Sequence, residues 1–184
     1  MLDHEDGITI VPYDPGWPAA FEAEAARLRT ALGALALRVD HHGSTAIPGL
    51  SAKPIIDIQV SVAALQPSGA YGERLETLGY RHVLHPDDSF SPFFHRPIHW
   101  PHSHHVHVVE RGGREERRTL AFRDYLLDHP DTAREYQDLK HNLAKRLPGT
   151  TAESREEYAR AKTGFIERVV ALAVENGYPR DVTM

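Results

Sequence analysis

The chain of 184 residues has no cysteine, which excludes disulfides and thiolate metal sites and gives no sign of an oxidising compartment. Long apolar runs are missing too, so nothing approaches the length that a membrane-spanning helix needs. The opening MLDHEDGITI lacks the basic and apolar stretches of a signal peptide, and a soluble cytoplasmic protein is the expectation. There is no basic excess: the net charge is -5 and the pI about 6.2, which argues against wholesale binding of duplex nucleic acid. A small anion in a local basic pocket fits that balance. Internal repeats and low-complexity linkers are absent. One domain over residues 1–184 is expected, with lobes at 1–113 and 114–184, burying about 70% of the surface of the unfolded chain.

What the chain does contain is concentrated in residues 41–60, HHGSTAIPGLSAKPIIDIQV. Leu37 and Val39 alternate with polar neighbours, which suggests a half-buried strand ending at Gly43-Ser44, where a glycine lets backbone N–H groups approach an anion. The serine hydroxyl adds a phosphate contact. Ile55 to Val60 then reads as an interior strand with Asp57 and Gln59 on one face and Ile56, Ile58 and Val60 on the other. An acid in so apolar a strand costs free energy unless it is paired or coordinated. Asp57 therefore either binds a ligand or serves structure, by capping a loop or pairing with an arginine.

Gly43-Ser44, twelve intervening residues and then Asp57-Ile58-Gln59-Val60 resemble the signature of the polymerase-β-type nucleotidyltransferases. GSTAIPGLSAKPIIDIQV as a whole resembles the GrpB family (UPF0157), a branch of that superfamily. The likeness extends to VPYDPGWPAAFEAEAARL at 11–28, HVHVVE at 105–110, FRDYLLDHP at 122–130, AREYQDLKHNLA at 133–144 and EYARAKTGFI at 157–166. The resemblance implies an α+β, nucleotidyltransferase-like fold, a mixed sheet flanked by helices with a C-terminal helical lobe. It also implies a nucleotide or other phosphorylated small molecule as ligand and a divalent metal. One departure bears on the chemistry: Gln59 stands where active transferases carry a second acid, and a neutral amide is a weaker ligand for magnesium.

The superfamily places a third acid on the neighbouring strand, and the corresponding segment is His104 to Glu110. There His105 and His107 share one face. Beside Asp57 they would form a carboxylate–imidazole set suited to manganese or zinc more than to magnesium. Alternatively the imidazoles hydrogen-bond a phosphate, or Asp57 itself, without metal. Six of the thirteen histidines fall between His95 and His107, with Phe93, Phe94 and Trp100 nearby. That loop either covers a nucleotide, an aromatic ring stacking on its base, or is a solvated connection held by Pro97 and Pro101.

Periodicity predicts helices at 18–32, 67–77, 115–128, 131–147 and 152–176, the last capped by Thr150 with Glu153. Strands are predicted at 35–42, 54–62, 80–84, 90–94 and 104–110. In the helical half, Tyr136 precedes Lys140 and Tyr158 precedes Lys162 by four residues, so each pair shares a helix face. Arg123, Lys140, Lys162 and Lys53 are the candidate phosphate cations, although such pairs also occur on solvated helices.

The candidate site is therefore Gly43, Ser44, Lys53, Gln59, Arg123, Tyr136, Lys140 and Lys162 for substrate, Asp57, His105 and His107 for metal, and Asp57 or His107 as base. Three functions are compatible with it. The first is nucleotidyl transfer from a nucleoside triphosphate. The second is histidine-dependent nucleotide hydrolysis, since HVHVV echoes a histidine-triad motif although Ser103 stands in place of its first histidine. The third is a noncatalytic nucleotide-binding or accessory module, as relatives fused to dephospho-CoA kinase imply. Acceptor, metal and oligomeric state are left open.

Overall fold

The computed structural model describes residues 7–84 and 90–180. The elements run α1 (Trp17–Leu32), β1 (Arg38–His42), β2 (Ile56–Val62), α2 (Gly69–Thr77), β3 (Arg81–Val83), β4 (Phe93–Arg96), β5 (His104–Glu110), α3 (Arg114–Asp128), α4 (Pro130–Arg146), α5 (Ala152–Arg160) and α6 (Thr163–Glu175). The strands form one five-stranded mixed sheet in the order β1-β2-β5-β4-β3. Only β2 and β5 pair in parallel; the other three pairings are antiparallel. This is the α+β, nucleotidyltransferase-like architecture that the resemblance implied.

Alternation along the two central strands separates the faces of the sheet. Ile56, Ile58, Val60 and Val62 of β2, with Val106 and Val108 of β5 and Phe94 of β4, enter the main core. α1 covers that face because Trp17, Phe21, Ala25, Leu28 and Leu32 recur at helical spacing and are all buried there. The odd-numbered residues take the opposite face, toward the helical half. Ser61 there donates to Glu116 and Gln59 accepts from Thr119, both on α3. A second core unites α3, α4 and α6 through Leu126, Tyr136 and Val169, with Ile47 and Leu50 from the loop before β2. No helix of the described residues is long and apolar enough to cross a membrane.

Several predicted boundaries move. The strand predicted from 35 starts at Arg38, because Gly33–Leu35 forms a 3₁₀ turn, and the one predicted at 90–94 lies at Phe93–Arg96. The helix predicted over 152–176 is two helices, broken at Ala161–Lys162. Tyr158 of α5 packs with Ile8 and Leu143, whereas Val169 and Ala173 of α6 pack on the α3–α4 core, so one straight rod cannot reach both. Thr163-Gly164, weak in a helix interior, stands at the break. The cap also moves by one residue: Thr151, not Thr150, accepts from the Ser154 N–H at 3.2 Å.

Candidate functional site

β1 ends in the sharp turn that brings Ser44 beneath the helical half. Gly43 has φ +69° and ψ -171°, a conformation open to glycine, and Ser44–Ala46 follows as a 3₁₀ turn. A β-carbon on Gly43 would lie 2.4 Å from Asp57 Oδ2, so the missing side chain is what lets the turn lie against the carboxylate. The register then lines up one row across three strands, with His42 opposite Asp57 and Asp57 opposite His105. His107 stands one step along, opposite Gln59.

Asp57 keeps 27% of its side chain exposed, and its Oδ1 lies 3.2 Å from His105 Nδ1. An ionised carboxylate only accepts, so that nitrogen carries a proton. His105 Nε2 is engaged as well, 3.1 Å from His102 Nδ1. Burial by itself would raise the Asp57 pKa, but the His105 hydrogen bond and the imidazoles of His42 and His107 hold it well below the usual carboxylate range. Burial pushes His107 down to about 3, with the His42 ring adding to the effect and Asp57 opposing it, so the ring is neutral at pH 7. His42 is depressed by burial too, and its Nε2 has no hydrogen-bond partner among the described residues.

Asp57, His105 and His107 floor a cleft of about 430 Å³ that also takes in Gly43, Ser44, Lys53, Tyr136, Lys140 and Lys162. Lys140 Nζ donates to Ser44 Oγ at 3.0 Å and to the Ser51 carbonyl, and lies 4.9 Å from the centre of the Tyr136 ring. Lys162 Nζ and Lys53 Nζ lie 4.6 and 5.5 Å from the centre of the Tyr158 ring. Burial pulls Lys140 down to about 7, with the charges of Lys162 and Lys53 adding to it against Asp57. Lys162 is drawn to about 7 for the same reasons. Tyr158 is 1% exposed, and its hydroxyl has no hydrogen-bond partner among the described residues. Crowded ammonium groups and an unanswered hydroxyl around one concavity make an arrangement that an anion could complete.

Two predicted residues stay outside. Gln59 is fully buried and does not line the cleft; its carbonyl accepts from Thr119, and its amide nitrogen has no hydrogen-bond partner among the described residues. Arg123 does not line this cleft; its Nη1 donates to the His41 carbonyl at 3.0 Å and its Nε to Asp124 at 2.8 Å, tying α3 to β1. Conversely, Arg155 lines the cleft, 4.7 Å from the Trp100 ring centre, and was not anticipated. Its position three residues before Tyr158 on one helix face was the available signal. Trp100 and His102 bring the histidine-rich loop to the cleft wall. His42 too was missed, although the residue before a strand-ending glycine is the one that register sets beside Asp57.

The donors present do not fit a pair of magnesium ions, since a single carboxylate of the sheet faces the cleft. No three His, Asp or Glu side chains among the described residues are already grouped to hold an ion.

The family model described as GrpB protein matches residues 7–171. The chain belongs to the GrpB family. A UPF0157 protein of Pseudomonas aeruginosa is 41% identical over 177 residues, covering 92% of this chain and 69% of the relative. The crystal structure of the conserved protein GrpB from Enterococcus faecalis superposes with a TM-score of 0.80 at 34% identity, covering 91% of this chain and 98% of that one. Cid1 poly(U) polymerase with MgGTP bound superposes with a TM-score of 0.50 at 16% identity over 74% of this chain and 45% of that one, a likeness of fold. A dephospho-CoA kinase of Mycolicibacterium paratuberculosis is 33% identical over 166 residues, covering 77% of this chain and 41% of the kinase.

The lysine cluster has a consequence for stability. Lys140 and Lys162 hold their protons less tightly in the folded than in the unfolded chain. Between about pH 7 and the ordinary lysine range near 10.4 the unfolded chain binds more protons, so stability is expected to rise with pH there. The slope approaches at most about 1.4 kcal/mol per pH unit for each lysine. Urea unfolding of wild type and of Lys140→Met/Lys162→Met at pH 7 and 9 checks it; equal pH dependence in the two proteins would mean that the ammonium groups are not strained.

Proposed function

We propose that the cleft binds the polyphosphate of a nucleoside triphosphate and that the protein transfers the nucleotidyl group to an acceptor. The observation that carries this reading is the closing of Lys53, Lys140 and Lys162 on one cleft opposite Asp57 and the Gly43-Ser44 turn. The lysines and Ser44 would hold the phosphates, and the Trp100 ring at the wall would stack on the base. In the transfer, the acceptor oxygen bonds to the α-phosphorus as the α–β bridging bond breaks, and pyrophosphate leaves onto the lysines. The acceptor proton passes to neutral His107, with ionised Asp57 beside it to stabilise the imidazolium. A single manganese or zinc ion, held by Asp57, would supply charge neutralisation at the phosphates and leave the one lone pair of neutral His107 for the acceptor proton.

Calorimetric titration with ATP, GTP, CTP, UTP and dephospho-CoA, with magnesium, manganese, zinc or no metal, tests the reading. At least one triphosphate is expected to bind, with affinity lower by roughly ten- to a hundredfold in Lys162→Ala, the worth of one charged hydrogen bond. Affinity is expected to fall from pH 7 to 9, because the anion favours protonated lysines and binding takes up protons. Asp57→Ala is expected to remove the metal dependence. Silence toward every triphosphate would sink the nucleotide reading.

The burial of Gln59 favours a second reading, a noncatalytic nucleotide-binding or accessory module, because it removes the second metal-binding position from the cleft. The dephospho-CoA kinase match is compatible with such a role. Binding without transfer to any acceptor would select it.

A further inference from the structure

The basic cleft has a neighbour that the reading above does not use. A second cleft of about 990 Å³ meets the first at Asp57, His107 and Lys162, with Phe93 lining both. Elements from both halves of the chain wall it, among them Val83 of β3, Thr119 of α3 and Ile166 of α6. Two concavities that meet at one carboxylate and one imidazole are what a two-substrate reaction requires, since each reactant needs its own walls and a common point of contact.

The two differ in charge. Lys53, Lys140, Lys162 and Arg155 outnumber Asp57 and Glu156 in the first. In the second, Arg118 is committed to Glu167, its Nε lying 2.9 Å from Oε1, and its Nη1 lies 3.6 Å from Glu115. On its wall Asp57, Glu110, Glu115 and Glu167 outnumber Arg114, Arg118 and Lys162. A second polyphosphate would find no excess of cations there. The second cleft also has an unanswered group on its wall: His42 is 9% exposed, and its Nε2, like the buried Gln59 Nε2 nearby, has no hydrogen-bond partner among the described residues. Its ring centre is 5.3 Å from that of His107, and its residue stands opposite Asp57 in the sheet. A buried ring nitrogen without a partner is costly unless a ligand completes it.

We infer that the second cleft is the acceptor subsite, and that it takes a small uncharged or cationic molecule presenting a hydroxyl or amine to His42 Nε2 beside Asp57. The inference rests on the nucleotidyl-transfer reading and supplies its second substrate class. It sets the nucleophile beside Asp57 and His107 while the leaving pyrophosphate remains on the lysines of the first cleft, so the two reactants approach from opposite charge environments.

NMR titration of the full chain separates the two sites. The probes are glycerol, Tris and glucosamine for the second cleft and inorganic tripolyphosphate for the first. At least one hydroxyl or amine probe is expected to shift the His42 ring and Thr119 signals saturably, with tripolyphosphate changing its affinity by less than about twofold. Ser91→Trp, which fills the second cleft, is expected to weaken that probe by at least about tenfold and leave tripolyphosphate binding as it was. Silence of all three probes at His42, or their displacement by tripolyphosphate, would overturn the acceptor subsite while the nucleotide reading stands. Tripolyphosphate silent while a probe still binds would overturn that reading and the acceptor role together, leaving a binding site for alcohols or amines.

Discussion

Gln59→Glu is expected to destabilise the protein by roughly 2–4 kcal/mol at pH 7.5 rather than to restore a second metal ligand. The side chain is fully buried, with its carbonyl taken by the Thr119 hydroxyl, and buried Glu116 lies close by on α3, bonded to Ser61 of the same strand face. A carboxylate there would be desolvated and repelled, so it would stay protonated, at a cost set by the gap between its unfolded pKa near 4.3 and the working pH. The sign follows from linkage. The folded pKa of the new acid is raised, so the deficit vanishes below the unfolded value and grows as pH climbs above it. Urea midpoints at pH 7.5 and 4.5 check this, with a loss in melting temperature of about 5–15 °C at the higher pH. Wild-type stability at pH 7.5 with new magnesium binding would show that position 59 does reach the cleft.

Gly43→Ala is expected to cost roughly 2–4 kcal/mol and to abolish triphosphate binding. Two effects combine. The backbone at φ +69° and ψ -171° is strained for any residue with a β-carbon, and that carbon would meet Asp57 Oδ2 at 2.4 Å and Asp57 Cβ at 2.9 Å. Relief requires Asp57 to withdraw from the turn, which also breaks its contact with His105. Gly49→Ala is the control, because Gly49 has φ +80° with nothing within 4 Å of the added carbon, so that it pays for backbone strain alone. Melting temperature and calorimetric titration of the two variants isolate the carboxylate. An equal loss in both would mean that Asp57 does not rest against the turn.

These two positions mark where the chain was legible and where it was not. Alternation along Ile56 to Val62 and His104 to Glu110 displayed two interior strands and the faces of Asp57, His105 and His107, because side chains on a strand alternate strictly. Tyr136 with Lys140 and Tyr158 with Lys162 were legible as helix-face pairs. The destination of each face was another matter. Arg123 resembled a phosphate ligand until Asp124 and the His41 carbonyl claimed it, and Gln59 shared the face of Asp57 yet lies beneath Thr119.

By itself the sequence determined the family, the α+β class, the glycine turn and the carboxylate strand, all of which depend on local pattern and on residue types at short spacing. Tertiary structure alone decided which cations close on the cleft, that α5 and α6 part at Lys162, that His42 stands beside Asp57, and that a second cleft meets the first. Those features arise between segments up to about a hundred residues apart, such as Lys140 and Ser44. Strand order, register and helix docking set them, and none of these is written in the periodicity of a single segment.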